Sequence, residues 1–220
     1  MQDIKFYHPL DTVVENFAPE PAKKIVPDWY KKSPKLNDDV PTIKNCPPVQ
    51  DLVTSGYILK SSIEYDVETH LDYDNKEQFI AECPLGHQAQ AHQHEQFAIT
   101  KHGQKKSFLK IDTGWTIKTP KGYSCLLIQP FYFMEERFTV LPAVVDTDSY
   151  DGAIQFPIML NQSNVILEPG TPFVQVIPFR REEWKLSVEQ KTQSTIFDLF
   201  VPRPFANIYK KYCRHKKKFY

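Results

Sequence analysis

From Phe108 onward the chain alternates between short apolar runs and turn signals. The runs fall at 108–112, 115–118, 123–129, 138–145, 153–160, 164–168 and 172–179. The turn signals, which are rich in Gly, Pro, Asp and Ser, fall at 120–122, 148–152 and 168–170. Many short strands at close spacing, with little helix between them, predict an all-β sandwich or barrel.

The first half of the chain has a different pattern. Residues 1–50 carry eight prolines, which favour extended backbone over long helices and predict a Pro-rich surface strap. Trp29 and Tyr30 are its expected anchors, because large aromatic side chains bury much area at one point. The stretch 46–56 begins with prolines and ends at Gly56, which predicts a short helix. The alternation after Gly56 predicts a strand.

These patterns divide the chain into three parts. Residues 1–50 form the strap, residues 51–180 the β core, and residues 181–220 a C-terminal extension. Within the core, residues 68–107 are polar and hold five of the seven histidines, which predicts a long hairpin or an excursion. In the extension, residues 180–190 are predicted as helix, and residues 205–220 form a basic, aromatic tail.

Composition narrows the function classes. The chain has 220 residues, 41% of them hydrophobic, so it can bury a core. Its net charge of zero makes nucleic acid an unlikely partner, since no global attraction to phosphates results. The N-terminus lacks a signal-peptide pattern and no apolar run reaches membrane-spanning length. These features predict a protein that is neither secreted nor membrane-bound, and that is intracellular or part of a particle assembled inside a cell.

The segment 111–179 resembles the core of trimeric dUTPases and the related dCTP deaminases. Thr113-Gly114, followed by Pro120 and Gly122-Tyr123, is similar to the segment before their second motif. Residues 144–152, VVDTDSYDG, are similar to the third motif. The resemblance implies a β-clip, a distorted β-sandwich, and a threefold homo-oligomer.

The same resemblance implies a set of ligand-binding residues. In the family, the third motif places an aspartate and a tyrosine in the uridine pocket, and these positions correspond to Asp146 and Tyr150. Asn161 falls where an asparagine is common, and Gln175 belongs to a segment that is similar to the fourth motif. If the chain is an enzyme, Asp146 is the expected catalytic residue and Mg²⁺ the expected cofactor.

The chain departs from the family where phosphates are held. Residues 128–133, IQPFYF, replace the arginine and serine of the second motif, and no glycine follows Gly170. Apolar aromatics cannot supply charge-assisted hydrogen bonds to a triphosphate. We therefore expect a chain without cationic groups beside Asp146, without a required cofactor, and more suited to binding than to catalysis.

Over most of its length the chain also resembles a family of unassigned activity in tailed bacteriophages and some bacteria. The shared phrases are IKTPKGYSC at 117–125, VVDTD followed by Tyr150, and GTP followed by QVIPF at 170–179. This resemblance implies a phage protein in the host cytoplasm or a virion, with other phage proteins as possible partners, but it supplies no chemistry.

Two further clusters bear on function. His92 and His94 match the opening of a cupin metal motif, and in a strand both face the same side; the glutamate and the later histidine of that motif are missing. In the tail, Arg214, Lys216, Lys217 and Lys218 can contact phosphates or a partner protein.

The leading interpretation is a non-catalytic phage protein that binds a partner or a nucleotide-like ligand. The first alternative is a pyrimidine nucleotide pyrophosphatase or deaminase that uses Asp146. The second is a cupin-type metal-dependent enzyme that uses His92 and His94. The sequence leaves the partner and the host open.

Overall fold

The computed structural model describes residues 2–34, 42–74, 76–83, 89–91, 98–99, 105–106, 108–190 and 209–220. The helices are short: α1 (Asp11–Phe17), α2 (Asp28–Lys32) and α3 (Pro47–Val53). The strands are β1 (Lys5–Tyr7), β2 (Glu20–Pro21), β3 (Tyr57–Lys60), β4 (Tyr65–Leu71), β5 (Glu77–Glu82), β6 (Ala89–Ala91), β7 (Ala98–Ile99), β8 (Lys105–Lys106), β9 (Leu109–Asp112), β10 (Thr116–Lys118), β11 (Tyr123–Ile128), β12 (Phe138–Val140), β13 (Ala143–Val145), β14 (Gln155–Leu160), β15 (Asn164–Leu167) and β16 (Pro172–Arg180).

The strands form antiparallel sheets, which confirms the all-β class. The largest sheet has the order β13-β11-β16-β3-β2, the second β12-β14-β9-β6, and the third β15-β4-β5. Two strand pairs, β1-β10 and β7-β8, complete the described sheets. Each strand pair in the described ranges runs antiparallel.

The three larger sheets meet at Phe173. Its ring contacts Tyr65 of β4 at 5.9 Å, Phe138 of β12 at 5.5 Å and Phe156 of β14 at 5.8 Å between centroids. All four side chains are almost completely buried. Edge-to-face and tilted aromatic contacts of this kind add stability beyond the area that they bury. The apolar positions that alternate along the sequence therefore converge on one core.

The strap lies along the body and is held at several points. β1 pairs with β10, and β2 pairs with β3. Tyr30 is 5% exposed, and the indole Nε1 of Trp29 donates to the carbonyl of Tyr132 at 2.6 Å. The two aromatic residues are thus anchors, as the sequence predicts. The expected extended backbone is interrupted by α1, α2 and a 3-10 turn at Ala22–Lys24.

The extension differs from its prediction. Residues 181–190 form neither helix nor strand, so the helix predicted for 180–190 is wrong. A single helical turn, Tyr209–Cys213, begins the described part of the tail. Among the described residues, no helix has both the length and the hydropathy needed to cross a membrane.

Candidate functional site

The loop after β13 carries Asp146 and is folded tightly on itself. The carbonyl of Asp146 accepts hydrogen bonds from the backbone N–H groups of Ser149 (3.0 Å) and Tyr150 (2.9 Å). Thr147 is fully buried, and its hydroxyl lies 2.7 Å from that of Thr119. Turn-forming Asp and Ser residues account for this local structure. The loop therefore has one defined conformation against the start of β11.

The carboxylate of Asp146 lies in a network of polar groups. Its Oδ1 accepts from the hydroxyl of Ser124 at 2.6 Å and from Nη1 of Arg181 at 3.2 Å. Its side chain remains 63% exposed. Asp146 is thus accessible to solvent, but one of its oxygens already has two donors.

Asp148 and Arg181 form the centre of this network. Arg181 pairs with both oxygens of Asp148, and the backbone N–H of Gly122 donates to Asp148 Oδ2 at 2.8 Å. The hydrogen bonds from Arg181, followed by that from Gly122, lower the pKa of Asp148 to about 2. In return, Asp148 raises the pKa of Arg181. We call Asp146, Asp148, Arg181 and Ser124 the hairpin cluster.

Arg181 contradicts the expectation that no cationic group lies beside Asp146. The sequence analysis missed it because Arg181 is 35 residues from Asp146 in the chain. Pairing of β16 with β11 aligns Arg180 with Tyr123, so the next residue reaches the Asp146 loop. The sequence contained one signal for this contact, namely a basic residue directly after the last core strand.

The other predicted ligand residues do not converge on Asp146. The ring of Tyr150 lies over Gly152, and its hydroxyl donates to the carbonyl of Ala153 at 3.2 Å. Gln175 is 3% exposed and donates to the carbonyls of Leu52 (2.9 Å) and Ser55 (2.7 Å).

Strand register separates Gln175 from the hairpin cluster. Phe179 pairs with Ser124, while Gln175 pairs with Ile128, and four residues of strand span about 13 Å. Asn161 binds Thr139 and the carbonyl of Glu136 at the end of β14. Asn161 and Gln175 therefore do not contact Asp146 within this chain, and the ligand-binding role of Asp146, Tyr150, Asn161 and Gln175 stays a prediction.

The tail residues have two different environments. Arg214 and Lys217 each lie 2.7 Å from a carboxylate oxygen of Asp51 on α3. Burial alone would raise the pKa of Asp51, but hydrogen bonds from Lys217 and Arg214 outweigh this effect and lower it. Lys216 and Lys218 are exposed. Of the four predicted contact residues, two are thus engaged by the chain's own body.

A metal site is not formed by the described residues. His92 and His94 lie outside them, so the cupin prediction has no structural description. Within the described ranges, no group of three or more His, Cys, Asp or Glu side chains is arranged to hold a metal ion. An open depression of about 340 Å³ is lined by Glu64, Asp66, Glu82 and Cys83, and its acidic lining disfavours nucleotide phosphates.

Comparison with known proteins gives similarity of fold only. No protein-family model matches the chain, and no curated protein matches it. The EIAV dUTPase matches over 63% of this chain and 86% of its own, at 13% identity and a TM-score of 0.36. The dUTPase of Staphylococcus bacteriophage 80alpha matches over 58% and 97%, at 11% identity and a TM-score of 0.31.

The dUTPase of phage phi11 of S. aureus matches over 58% of this chain and 98% of its own, at 12% identity and a TM-score of 0.30. These proteins belong to the family that the sequence resembles. At this level of similarity, neither an activity nor an assembly is transferred, and a fold by itself does not define a function.

Proposed function

We propose that this chain is a non-catalytic bacteriophage protein that acts by binding other protein chains through the segment 182–190. We call this segment the arm. The observation that carries the proposal is the exposure of three alternating apolar side chains: Trp184 is 88% exposed, Leu186 86% and Val188 86%.

The pattern of the arm suits strand addition to a partner. Residues 184, 186 and 188 have the period of two at which side chains share one face of an extended strand. Among the described residues, no backbone hydrogen bond is formed by 182–190, and the last one before them joins the N–H of Arg181 to the carbonyl of Gly122. Unpaired backbone groups combined with alternating apolar side chains are the features used in β-strand addition.

The hairpin cluster supports the arm rather than a reaction. Arg181 is the residue that precedes the arm, and its guanidinium is bonded to Asp146, Asp148 and Ser124. A guanidinium that is occupied by two carboxylates is not available to bind a triphosphate. We therefore assign to Asp146 and Asp148 the role of fixing the direction in which the arm leaves β16.

A second copy of this chain is the proposed partner, in a trimer as the resemblance to dUTPases implies. The test compares the intact chain with the variant Trp184→Ser/Leu186→Ser/Val188→Ser. We expect the intact chain to form a homo-oligomer and the variant to be a monomer with an unchanged near-UV circular dichroism spectrum. The control variant Glu183→Ser/Lys185→Ser/Glu189→Ser changes the opposite face of the arm and should remain oligomeric.

The measurements are light scattering and sedimentation velocity over a range of protein concentrations. An intact chain that stays monomeric would remove the second copy as partner and leave other phage proteins. Oligomers in the triple apolar variant would show that the arm is not the contact.

One observation favours a second function, hydrolysis or deamination of a pyrimidine nucleotide. Arg181 Nη1 lies 3.2 Å from Oδ1 of Asp146, so a cationic group is in contact with the candidate base. The test is a panel of pyrimidine nucleotides with Mg²⁺, measured for release of pyrophosphate and ammonia. Turnover that Asp146→Asn abolishes would refute the non-catalytic proposal. Absence of turnover across the panel would remove the enzymatic alternative.

A further inference from the structure

The carboxylate of Asp51 binds two cations of the tail 209–220 and holds it against the body. Arg214 Nη2 and Lys217 Nζ bind the two oxygens of Asp51, each at 2.7 Å, and the Asp51 side chain is only 11% exposed. Arg214 also donates to the amide oxygen of Gln50 at 3.1 Å. Charge-assisted bonds of this kind, partly shielded from water, hold a segment in one place. The tail is therefore a fixed surface of the described structure.

The remaining cations of the tail face solvent. The segment 209–220 contains six Lys and Arg residues and no Asp or Glu. Lys210, Lys216 and Lys218 are exposed and form no ion pair within the described part of the chain. Lys23 extends this surface, since its ammonium lies 4.4 Å from the ring centroid of Tyr220. A chain with zero net charge thus has a concentrated positive region, where a local field attracts anions.

A cleft of about 210 Å³ adjoins these cations. Its lining includes the aromatic rings of Tyr57, Tyr123 and Phe219, together with Asp3 and Lys218. Tyr57 and Phe219 meet edge to face at 6.2 Å. Burial raises the pKa of Tyr57, so its phenol is neutral at physiological pH. The cleft is smaller than the roughly 300–1,000 Å³ of sites that enclose a whole drug-sized ligand, and a single planar ring system fits it better.

We infer that this surface binds single-stranded nucleic acid. One base occupies the aromatic cleft, another stacks on Tyr220, and Lys23, Lys210, Lys216 and Lys218 contact the phosphates. Tyr220 is available because it is 65% exposed. Cations that follow a phosphate backbone, interleaved with aromatic rings on which bases stack, are the features of sequence-tolerant single-strand binding. A duplex is excluded as the preferred ligand because its bases are already stacked inside the helix.

The inference goes beyond the proposed function and does not depend on oligomerisation, since no arm residue belongs to this surface. It also revises the expectation from composition that nucleic acid is an unlikely partner. That expectation used the net charge of the whole chain, whereas binding depends on where the charges lie.

The test is fluorescence anisotropy of a labelled oligothymidylate titrated with the full-length protein at several salt concentrations. With four phosphates neutralised, the slope of log K against log salt should be about −3, since each contact on a single strand contributes about −0.7. The variant Lys216→Glu/Lys218→Glu should lower the affinity at least about tenfold and make the slope less steep by about 1.4. Neither lysine binds Asp51, so the attachment of the tail is kept.

The matched control is Lys76→Glu/Lys110→Glu, which makes the same change in net charge on residues outside the cleft, the tail and the arm. Its affinity should stay within about twofold of the intact protein. A control variant that loses as much affinity as the test variant would show that total charge, and not this surface, determines binding. Thermal unfolding of both variants monitors folding.

Stacking is tested separately with Tyr220→Ala. This variant should bind oligothymidylate about 5- to 150-fold more weakly, as expected for the loss of one stacked base, while its binding to inorganic polyphosphate is unchanged. The inference is overturned if the intact protein fails to bind oligothymidylate at low salt. It is also overturned if a DNA duplex binds as tightly, or if Tyr220→Ala weakens polyphosphate and oligothymidylate binding equally.

Discussion

Gln175 is a buried polar residue whose side chain binds two backbone carbonyls. Its amide nitrogen donates to the carbonyls of Leu52 and Ser55, which lie at the end of α3 and just beyond it. Carbonyl groups at the C-terminus of a helix lack partners within the helix. Gln175 supplies those partners from the central strand, so it fixes α3 to the five-stranded sheet.

We expect Gln175→Ala to lower the free energy of unfolding by about 2–4 kcal/mol, because the carbonyl of Ser55 loses the donor from Gln175, the carbonyl of Leu52 keeps only the N–H of Ser55, and a small cavity forms. Asn161→Ala is the control. Asn161 is also a predicted ligand residue, but it is exposed, so its loss should cost about 0.5–1 kcal/mol. Urea denaturation followed by tryptophan fluorescence measures both. Equal losses would contradict the structural role of Gln175.

Asp148 makes the attachment of the arm sensitive to acid. Its folded-state pKa of about 2 lies below the ordinary value of 3.8, so its contribution to stability is complete above about pH 4 and is lost as pH falls toward 2. We expect the stability difference between the intact chain and Asp148→Asn to be constant at neutral pH and to vanish across this window. Thermal unfolding at successive pH values checks it. A difference that persists below pH 2 would show that the Asp148 charge is not the cause.

At the level of elements, alternation and turn chemistry predicted most strands of the core. The predicted strands at 123–129, 164–168 and 172–179 correspond to β11, β15 and β16 within one residue at each end. The long run 138–145 is divided into β12 and β13, because the two strands join different sheets. Pro142, which lies between the two halves, was the available signal, because proline has no backbone N–H to donate and is rarely found inside a central strand.

The helix predicted for 180–190 fails for a physical reason that the sequence does contain. Trp184, Leu186 and Val188 recur every two residues, whereas a helix with one apolar face needs spacings of three and four. The polar residues between them are good helix formers, and the prediction followed their propensity. Periodicity was the better guide, as is common where tertiary context overrides propensity.

Gly56 joins α3 to β3 at a point where no side chain fits. Its φ is +68°, and a Cβ added there would lie 2.0 Å from the carbonyl oxygen of Val176. We expect Gly56→Ala to cost about 2–5 kcal/mol, from left-handed backbone strain together with displacement of β16. Gly122→Ala is the matched control: its φ is +87°, but nothing lies within 4 Å of the added Cβ. It should cost about 1–2 kcal/mol.

Guanidinium denaturation of the two glycine variants provides the comparison. Equal shifts of the midpoint would mean that backbone strain alone matters and that contact with β16 does not.

For the whole molecule, the sequence predicted the all-β class but not the candidate site. Asp146 and Gln175 were grouped because each matches a motif of one family. Spacing along the chain cannot show that Asp146 lies beside Arg181, just after β16, whereas Gln175 lies within that strand. The partners of Arg181 and Arg214 were missed because they are distant in sequence: 33 residues separate Arg181 from Asp148, and 163 separate Arg214 from Asp51. Ion pairs of such separation depend on topology, which residue pattern alone does not specify.

The tail is expected to stabilise the core without being required for it. Ending the chain after Arg203 should leave the β core folded but lower the free energy of unfolding by about 1–3 kcal/mol, since Asp51 then has no cation although it is mostly buried. In an Asp51→Asn background the same truncation should cost less, because the charge that needed compensation is gone. Calorimetry of the intact chain, the truncated chain, Asp51→Asn and the truncated Asp51→Asn variant measures this coupling. Loss of the cooperative transition on truncation would show that the tail belongs to the fold.

The position of β16 has a mechanical consequence. This nine-residue strand is hydrogen-bonded to β11 on one side and β3 on the other, and the arm is its direct continuation. Tension applied to the arm along the strand axis therefore loads both rows of hydrogen bonds in shear, and many of these bonds must break together. In an edge strand that is pulled away from its neighbour, the hydrogen bonds instead break one after another. A tether attached to the arm should for this reason rupture at higher force than one attached at β13, which among the described strands is bonded to β11 alone.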